Sequence, residues 1–550
     1  MKFSDTEFFK PSDIPLRHID GQEGFTMTFL GFDTDETLNN ELFSKREQGS
    51  VSETFKLKEN VFLKSISEYE KQIENDPYNP IPYNSIGIAF SGLGLYDKAE
   101  YAFKKALKLS PQYTYANYNI GLLYLKLGKY TEAEEEFKKH LKNKPKDIYA
   151  LNRLGTTLLK NKKIKEAKNI FLQSYQINKM DFVTLNNMGL LYEQEGDLEK
   201  SEYYFKKAIS FSMKYIEARN NLGRILAKQE KWDEAEKEFL KILVWKPNSS
   251  NTYCNLGILN YIRHKWYEAV RNLQKAIELD PIDIYPKNII AFAYLKLGDI
   301  NKSLNQLDEA LKIKEGDLET LSNKAYCLYS ANYNKDALYY ASKVASTPNA
   351  SKKIINLCGV LSITFEKYRE AKYYFKRILE QDENDISALL NLALCFIETG
   401  DFEKAIYLSR RALKLDNNNI NAINTYALSI FHAGYTKKAI EILSSIEDEN
   451  IDDYYTISNL GLFFTSLKKY FEAEKYYQIL LKKYPEDCEV LNNLGYIYSK
   501  TGREAYAERL WRDALRIDPS YTPARKNLEY IGYFLSNAGR NKNYNNIILL

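Results

Sequence analysis

The sequence predicts an all-α protein, a right-handed α-solenoid of about thirteen helix-turn-helix units with a 34-residue period. Three observations predict it: a column of small residues recurs every 34 positions, a second small column follows twelve residues later, and the apolar residues of each unit keep helical spacing. No insertion interrupts the period between residues 80 and 521. The first column is Gly87, Gly121, Gly155, Gly189, Gly223, Gly257, Ala291, Ala325, Gly359, Ala393, Ala427, Gly461 and Gly495; the second begins at Ala99 and ends at Ala507.

The predicted helices are short, so their stability has to come from stacking. A helix of about a dozen residues is marginal alone in water, and neighbouring units must therefore share a core that continues along the array. Nine of the thirteen first-column residues are Gly, although Gly inside a helix costs about 0.5–1 kcal/mol relative to Ala. We interpret these glycines as allowing two helices to cross closely. Stacked layers about 8–10 Å apart predict a curved rod on the order of 100 Å long.

The repeat resembles the tetratricopeptide repeat, and the resemblance covers residues 80–521. It includes the small eighth and twentieth positions of each unit and three further features. These are an aromatic eleventh position (Phe90, Tyr124, Tyr192, Tyr498), an aromatic twenty-fourth position (Phe103, Phe137, Phe171, Phe205, Phe239, Trp511) and a closing proline (Pro111, Pro145, Pro247, Pro281, Pro485, Pro519). The resemblance implies that first helices line a concave face, second helices form a convex face, and the protein binds other proteins.

The segments around the array follow in chain order. Residues 1–57 are expected to be an irregular acidic leader, either loosely packed or lying in the groove as a pseudo-ligand, because residues 1–50 hold five Lys/Arg and ten Asp/Glu. Residues 58–79 resemble a half repeat. Residues 522–536 are expected to form a capping helix, with Pro523 in its first turn, and residues 537–550 an Asn-rich tail. Looser packing is expected at residues 318–419, where the closing prolines are missing and the aromatic twenty-fourth position becomes Ala341 and Ser409.

Every unit carries Asn at its fifth or sixth position. Asn is a poor helix former, but its amide matches the N–H and C=O of a peptide group. A row of such amides could therefore hold an extended peptide by its backbone, although Asn is also usual at the sixth position of the family in general. The candidate row is Asn119, Asn187, Asn221, Asn255, Asn323, Asn391, Asn459 and Asn493.

The ninth position of the units is apolar or aromatic in eleven of thirteen cases. An exposed lining of that kind indicates a binding surface, suited to an amphipathic helix or an apolar extended segment. Tyr115 and Tyr149, at the second position, add amphipathic anchors. The candidates from this column are Leu190, Ile258, Phe292 and Tyr326.

Several classes of protein are not favoured. Four scattered histidines give no metal or catalytic cluster, so we expect no enzymatic activity, metal or cofactor. Five widely spaced cysteines predict reduced core thiols in a cytoplasmic protein. Without a long apolar run or a basic concave face, we expect no membrane or nucleic-acid partner. The sequence thus predicts a scaffold that binds extended peptides or amphipathic helices of other proteins in its groove. The alternative is a structural subunit of a larger assembly or a self-associating solenoid, which includes a homo-oligomer.

Overall fold

The computed structural model describes residues 51–348, 350–445 and 453–536, with side chains from residue 62 to residue 530. Over these ranges the protein is all-α, with helices joined by short turns and no strand. The expectations for residues 1–50 and for the tail lie outside the described residues. The chain forms two compact units, whose described parts we call the first stack (residues 51–293) and the second stack (residues 294–536).

The first stack begins with a long helix that starts before the expected leader boundary at residue 57. It is followed by paired helices of 12–14 residues, and α14 (Tyr285–Lys296) contains the point of division between the stacks. The helices are α1 (Val51–Asn75), α2 (Pro80–Gly92), α3 (Tyr96–Leu109), α4 (Tyr115–Lys126), α5 (Tyr130–Asn143), α6 (Ile148–Lys160), α7 (Ile164–Ile177), α8 (Phe182–Gln194), α9 (Leu198–Phe211), α10 (Ile216–Lys228), α11 (Trp232–Trp245), α12 (Ser250–Ile262) and α13 (Trp266–Leu279).

The second stack repeats the same pairing and ends in a single helix. Its helices are α15 (Ile300–Ile313), α16 (Leu318–Ser330), α17 (Asn334–Ala345), α18 (Lys352–Thr364), α19 (Tyr368–Gln381), α20 (Ile386–Glu398), α21 (Phe402–Leu415), α22 (Ile420–His432), α23 (Thr436–Ser444), α24 (Tyr454–Ser466), α25 (Tyr470–Lys483), α26 (Cys488–Lys500), α27 (Glu504–Ile517) and α28 (Thr522–Ser536).

Helix boundaries follow from local sequence. Many first helices begin after an Asp, Ser or Asn whose side chain accepts a hydrogen bond from a backbone N–H of the first turn, as Asp181 does from Thr184. The turn between the two helices of a unit needs a residue with left-handed backbone, which Gly94 supplies with a φ of 76°. Glu230 and Glu366 adopt the same conformation without being Gly, and the family pattern therefore tolerates some strain at this turn.

The glycines of the first column lie where the second helix of the same unit packs closely, as expected for a close helix crossing, and each faces one side chain of that helix. A Cβ atom placed on Gly223 would lie 2.6 Å from Cε1 of Phe239, in the second helix of the same unit. Gly495 would meet the indole of Trp511 in the same way, at 2.6 Å from Nε1. Each of the nine glycines thus makes room for the side chain sixteen residues later, which is aromatic in eight units and is Leu273 opposite Gly257. Ala replaces Gly only where the twenty-fourth position is not aromatic, at Ala291, Ala325, Ala393 and Ala427.

The region expected to pack loosely is closed in its interior. One apolar cluster extends from Leu321 to Phe463 and includes Ala341. Ser409 is fully buried and donates its hydroxyl hydrogen bond to the carbonyl of Ala405. The two positions that lack an aromatic ring are therefore buried within a core as continuous as the rest.

Candidate functional site

The row of candidate asparagines lies mostly in the interior. Asn187, Asn221, Asn255 and Asn391 have no exposed surface, and Asn459 has 1%. Asn323 and Asn493 are also buried, and Asn119 is half-buried. An extended peptide in the groove would meet little of these side chains as they stand.

The buried amides join neighbouring units through a repeated hydrogen bond, which we call a rung. In each rung the Nδ2 of a sixth-position Asn donates to the Oδ1 of a fifth-position Asn in the preceding unit. The rungs are Asn119–Asn84 (2.8 Å), Asn187–Asn152 (3.1 Å), Asn221–Asn186 (3.0 Å), Asn255–Asn220 (2.7 Å), Asn391–Asn356 (3.1 Å), Asn459–Asn424 (3.2 Å) and Asn527–Asn492 (2.9 Å).

Rungs explain why Asn alternates between the fifth and sixth positions. A rung needs the fifth position in one unit and the sixth in the next, so its two residues are 35 positions apart, one more than the repeat. This spacing is present in the sequence and could have revealed the pairing. Asn493 has no Asn 35 residues earlier; it accepts from Asn492 (3.2 Å) and donates to the hydroxyl of Tyr477 (3.5 Å).

The fifth-position Asn can extend the rung into a small network. Asn152 also donates to the Thr184 hydroxyl (3.0 Å), and that hydroxyl donates to the N-cap carboxylate of Asp181 (2.6 Å). Asn424, Thr456 and Asp453 repeat this arrangement in the second stack. Each network ties a first helix to the start of the next, and the asparagines therefore set how successive units stack.

One atom of some candidate amides stays unused. The Oδ1 atoms of Asn187, Asn221 and Asn391 are buried and accept no hydrogen bond within the described part of the chain. A backbone N–H of a peptide could donate only to these oxygens without breaking a rung. That the asparagine row holds a peptide by its backbone stays a prediction. The acceptor atoms available to it are the Oδ1 atoms of Asn187, Asn221 and Asn391.

The ninth-position column was expected to line an exposed groove, and for most of its length this is wrong. Ile258, Phe292 and Tyr326 are buried, and Leu190 is half-buried. In the second stack, Tyr326, Val360, Leu394, Leu428 and Leu462 all belong to the apolar cluster. Consecutive first helices touch each other directly, as α20 and α22 do, and side chains between them become core.

Exposed apolar side chains on first helices are concentrated in the first three units. Ile81 and Ile88 lie two turns apart on one face of α2 and are 53% and 47% exposed. Tyr115 and Leu122 repeat the spacing on α4, where Tyr115 is 47% exposed and Leu122 is half-buried against the core, and Tyr149 on α6 is 75% exposed. Because α2 contacts α4 and α4 contacts α6, these five residues form one surface, which we call the apolar strip. Exposed contiguous apolar surface of this kind marks interaction sites.

Charged groups replace apolar ones at one point of the first stack. Arg224, a ninth-position residue of α10, makes a two-point ion pair with Glu193 of α8, and the Lys228 ammonium lies 2.6 Å from the same carboxylate. Burial alone would raise the pKa of Glu193, but the two cations more than offset it and hold the pKa below its usual value. The buried carboxylate is thus neutralised by its two cationic partners, and its role is structural.

Buried thiols and scattered acids give little reactive chemistry. Burial raises the pKa of Cys327 and Cys358 to about 12, so both remain protonated thiols at neutral pH. Within the described ranges no three His, Cys, Asp or Glu side chains lie together as metal ligands would. No helix in those ranges is long and apolar enough to span a bilayer.

Comparisons with family models find tetratricopeptide repeats along the chain. Models described as "Tetratricopeptide repeat" match residues 85–148, 183–212, 216–243, 457–487 and 488–517, and a model of "Anaphase-promoting complex, cyclosome, subunit 3" matches residues 364–446. No curated protein matches the sequence.

Three similar solved structures are repeat proteins or complexes at low sequence identity. The crystal structure of the APC/C hetero-tetramer Cut9–Hcn1 matches at 15% identity and a TM-score of 0.40, covering 82% of this chain and 98% of that one. The crystal structure of a tetratricopeptide repeat protein from Parabacteroides merdae ATCC 43184 matches at 19% identity and a TM-score of 0.38. The match covers 45% of this chain and 98% of that one. The crystal structure of yeast Tom70 matches at 17% identity and a TM-score of 0.39, covering 70% of this chain and 94% of that one. Likenesses at this level carry no argument about partners.

Proposed function

The chain is a tetratricopeptide-repeat protein, and from that premise we propose that it is a scaffold that binds apolar segments of other proteins on the first-helix face of its first three units. The proposed role is binding, without catalysis by the chain itself. The partner segment is an amphipathic helix or an extended stretch that presents apolar side chains to the apolar strip.

The observation that carries this proposal is the exposure of the strip. Most ninth-position residues further along the chain are enclosed, whereas Ile88 is 47% exposed. The second-position residues Ile81, Tyr115 and Tyr149 beside it are 53%, 47% and 75% exposed. Covering a fully exposed large aliphatic side chain is worth about 1.5–3 kcal/mol, so a partner that covers several of these half-exposed side chains offsets part of the cost of association. Tyr115 is also preorganised, because the Lys144 ammonium lies 3.7 Å from the centre of its ring.

Affinity capture with mass spectrometry tests the proposal, using wild type and Ile81→Asp/Ile88→Asp as baits. Both side chains are exposed, so the variant is expected to fold, and circular dichroism checks this. We expect the variant to lose one or a few partners completely. The matched control is Leu240→Asp/Val244→Asp, which changes two exposed aliphatic residues of the second helix α11 and should retain them.

A partner found in this way is then purified, and its binding is measured by calorimetry. We expect at least about a tenfold weaker Kd for Ile81→Asp/Ile88→Asp, because each aspartate leaves a carboxylate facing an apolar partner surface. Equal affinity of wild type and variant for every captured partner would contradict the proposal that the apolar strip is the binding surface.

A second candidate function is permanent assembly or self-association, and a feature of the second helices favours it. Tyr101, Tyr203, Tyr339, Tyr373 and Tyr407 occupy the same twenty-second position and are all more than half exposed. Tyrosines of this kind are enriched in protein interfaces. Sedimentation velocity across a hundredfold range of protein concentration separates the two: a constant monomer favours exchangeable partners, and a concentration-dependent dimer favours self-association.

A further inference from the structure

A surface cleft of about 770 Å³ lies among α19, α20 and α21 of the second stack. Its floor is apolar and is formed by Leu392, Phe396 and Leu408, of which Leu392 is 3% exposed and the other two 9%. Tyr373 and Tyr407 stand at its sides and are 62% and 65% exposed. The floor and sides together can enclose one large apolar side chain.

Four cations and no carboxylate line the rest of the cleft: Arg369, Lys372, Lys376 and Lys404. The ammonium groups of Lys372 and Lys404 lie 4.7 Å and 5.4 Å from the centre of the Phe396 ring. They are therefore held above the apolar floor by cation–π contact.

Part of this positive charge is uncompensated. Lys404 pairs with Asp401 at 2.6 Å, and Lys372 donates to the neutral Thr399 hydroxyl at 3.0 Å. Arg369 and Lys376 form no ion pair with any residue in the described part of the chain. An anionic group that enters the cleft thus meets at least two cations, Arg369 and Lys376, that form no ion pair in the described part of the chain.

We propose that this cleft is a second docking site, which binds an acidic peptide segment of a partner protein through one aromatic or large aliphatic side chain. The side chain lies on Phe396 between the two tyrosines, and flanking carboxylates face Arg369, Lys372 and Lys376. Aromatic anchors in a pocket with a charged rim are the usual pattern of peptide hot spots. The site is in the second stack and does not depend on the apolar strip.

Single-stranded nucleic acid is the competing ligand, since bases can stack on tyrosines beside lysines. The apolar floor favours the peptide. A nucleic-acid base in the cleft would place its polar edge against Leu392 and Leu408, where it finds no hydrogen-bond partner. The cations are also confined to one cleft, whereas a single strand needs a positive groove that follows its backbone.

Fluorescence anisotropy with the full chain tests the proposal. The probe is a short fluorescein-labelled peptide with a single phenylalanine between two runs of glutamate, and the comparison peptide has alanine in place of the phenylalanine. We expect binding that weakens with rising salt, and about a tenfold weaker affinity for the alanine peptide.

Charge reversal locates the binding. Arg369→Glu/Lys376→Glu changes two exposed side chains and should weaken the probe at least about tenfold. Lys437→Glu/Lys438→Glu makes the same change in charge on exposed residues of α23 and should leave the affinity within about twofold. Thermal unfolding of both variants checks that each is folded.

Three results would overturn the proposal: no binding of the phenylalanine peptide to wild type, equal loss of affinity in both charge-reversal variants, or displacement of the probe by a thymidine oligonucleotide at lower concentration than by unlabelled peptide. The anisotropy test does not depend on the affinity-capture experiment with Ile81→Asp/Ile88→Asp. Failure of either one leaves the other proposal standing.

Discussion

The two stacks are built from the same 34-residue unit, but they join successive first helices differently. In the first stack, three consecutive rungs run from Asn152 to Asn255, and Arg224 pairs with Glu193 at the ninth and twelfth positions of neighbouring units. In the second stack, the same two positions hold Leu394 and Ile363, both packed in the apolar cluster. Rungs there alternate with pairs of positions that do not both hold Asn. Leu390 and Thr425, for example, occupy the fifth and sixth positions that would form the rung between α20 and α22, and both are buried.

This difference teaches that the unit has a fixed part and an exchangeable part. The small eighth position and the side chain sixteen residues later are complementary in both stacks, since Gly223 faces Phe239 and Ala393 occurs with Ser409. The contacts between units can be either polar or apolar. Polar contacts demand matched partners on both sides, whereas apolar contacts demand only volume.

Moving the ion pair from one stack to the other is expected to have the largest effect. Leu394→Arg places a cation beside Ile363 in the apolar cluster and should destabilise that region by about 3–5 kcal/mol. Adding Ile363→Glu recreates the pair and should restore most of this loss. Because a long repeat array does not unfold in two states, the stability of α18–α21 is measured by native-state hydrogen exchange. No rescue would mean that the second stack lacks room for the pair.

The fixed part of the unit is tested by Gly223→Ala. The added methyl meets the Phe239 ring at 2.6 Å, and overpacking of this kind costs about 1–3 kcal/mol. The double variant Gly223→Ala/Phe239→Leu reproduces the combination of Ala427 and Leu443 and should be more stable than Gly223→Ala alone. A double variant that is less stable than either single variant would contradict the proposed complementarity.

Removal of single rungs comes next in size. Asn221→Ala leaves the Oδ1 of Asn186 buried without its donor, and Asn391→Ala does the same to Asn356. Each should cost about 1–2 kcal/mol, measured by hydrogen exchange of the two first helices that the rung joins. Similar losses in both stacks would show that the rung is a local device, and a larger loss at Asn221 would indicate cooperation among the three consecutive rungs.

The smallest expected difference is the acid sensitivity of this contact between first helices, which holds the Glu193 carboxylate in the first stack and Ile363 in the second. The pKa of Glu193 is lower in the folded chain than its usual value of about 4.5, so its contribution to stability is complete above that pH and is lost as the pH falls through the folded pKa. Arg224→Leu/Glu193→Ile should remove this part of the acid dependence of α8–α10, with little change at pH 7. Hydrogen exchange between pH 3 and pH 6 measures it, and an unchanged profile would contradict the assignment.

The sequence predicted the fold well because its period is exact in length and independent of the chemistry of contacts. The helices, the turns and the columns of small residues could all be located from spacing. The side chain that each glycine accommodates could not be identified in this way, because it belongs to a different helix, sixteen residues away. The 34-residue period reveals the Asn column but not its hydrogen-bond partners. The two asparagines of a rung are 35 residues apart, one more than the period.

The candidate site was harder to predict for a physical reason. Whether a ninth-position residue such as Ile88 or Ile258 is exposed depends on how closely neighbouring first helices approach, and both residues are isoleucine. Only the packing distinguishes them, since the first is 47% exposed and the second is fully buried. The cleft at Phe396 combines residues from three helices, and no single stretch of sequence signals it.

The most direct test of the account compares two variants in the same pair of assays, stability by hydrogen exchange and partner retention by affinity capture. Asn187→Ala/Asn221→Ala/Asn255→Ala is predicted to lose stability in α6–α12 and keep its partners. Ile81→Asp/Ile88→Asp is predicted to keep its stability and lose them. The opposite pattern, with partners lost from the stable asparagine variant and kept by the strip variant, would contradict the claim that the asparagines hold the units together while the strip binds other proteins.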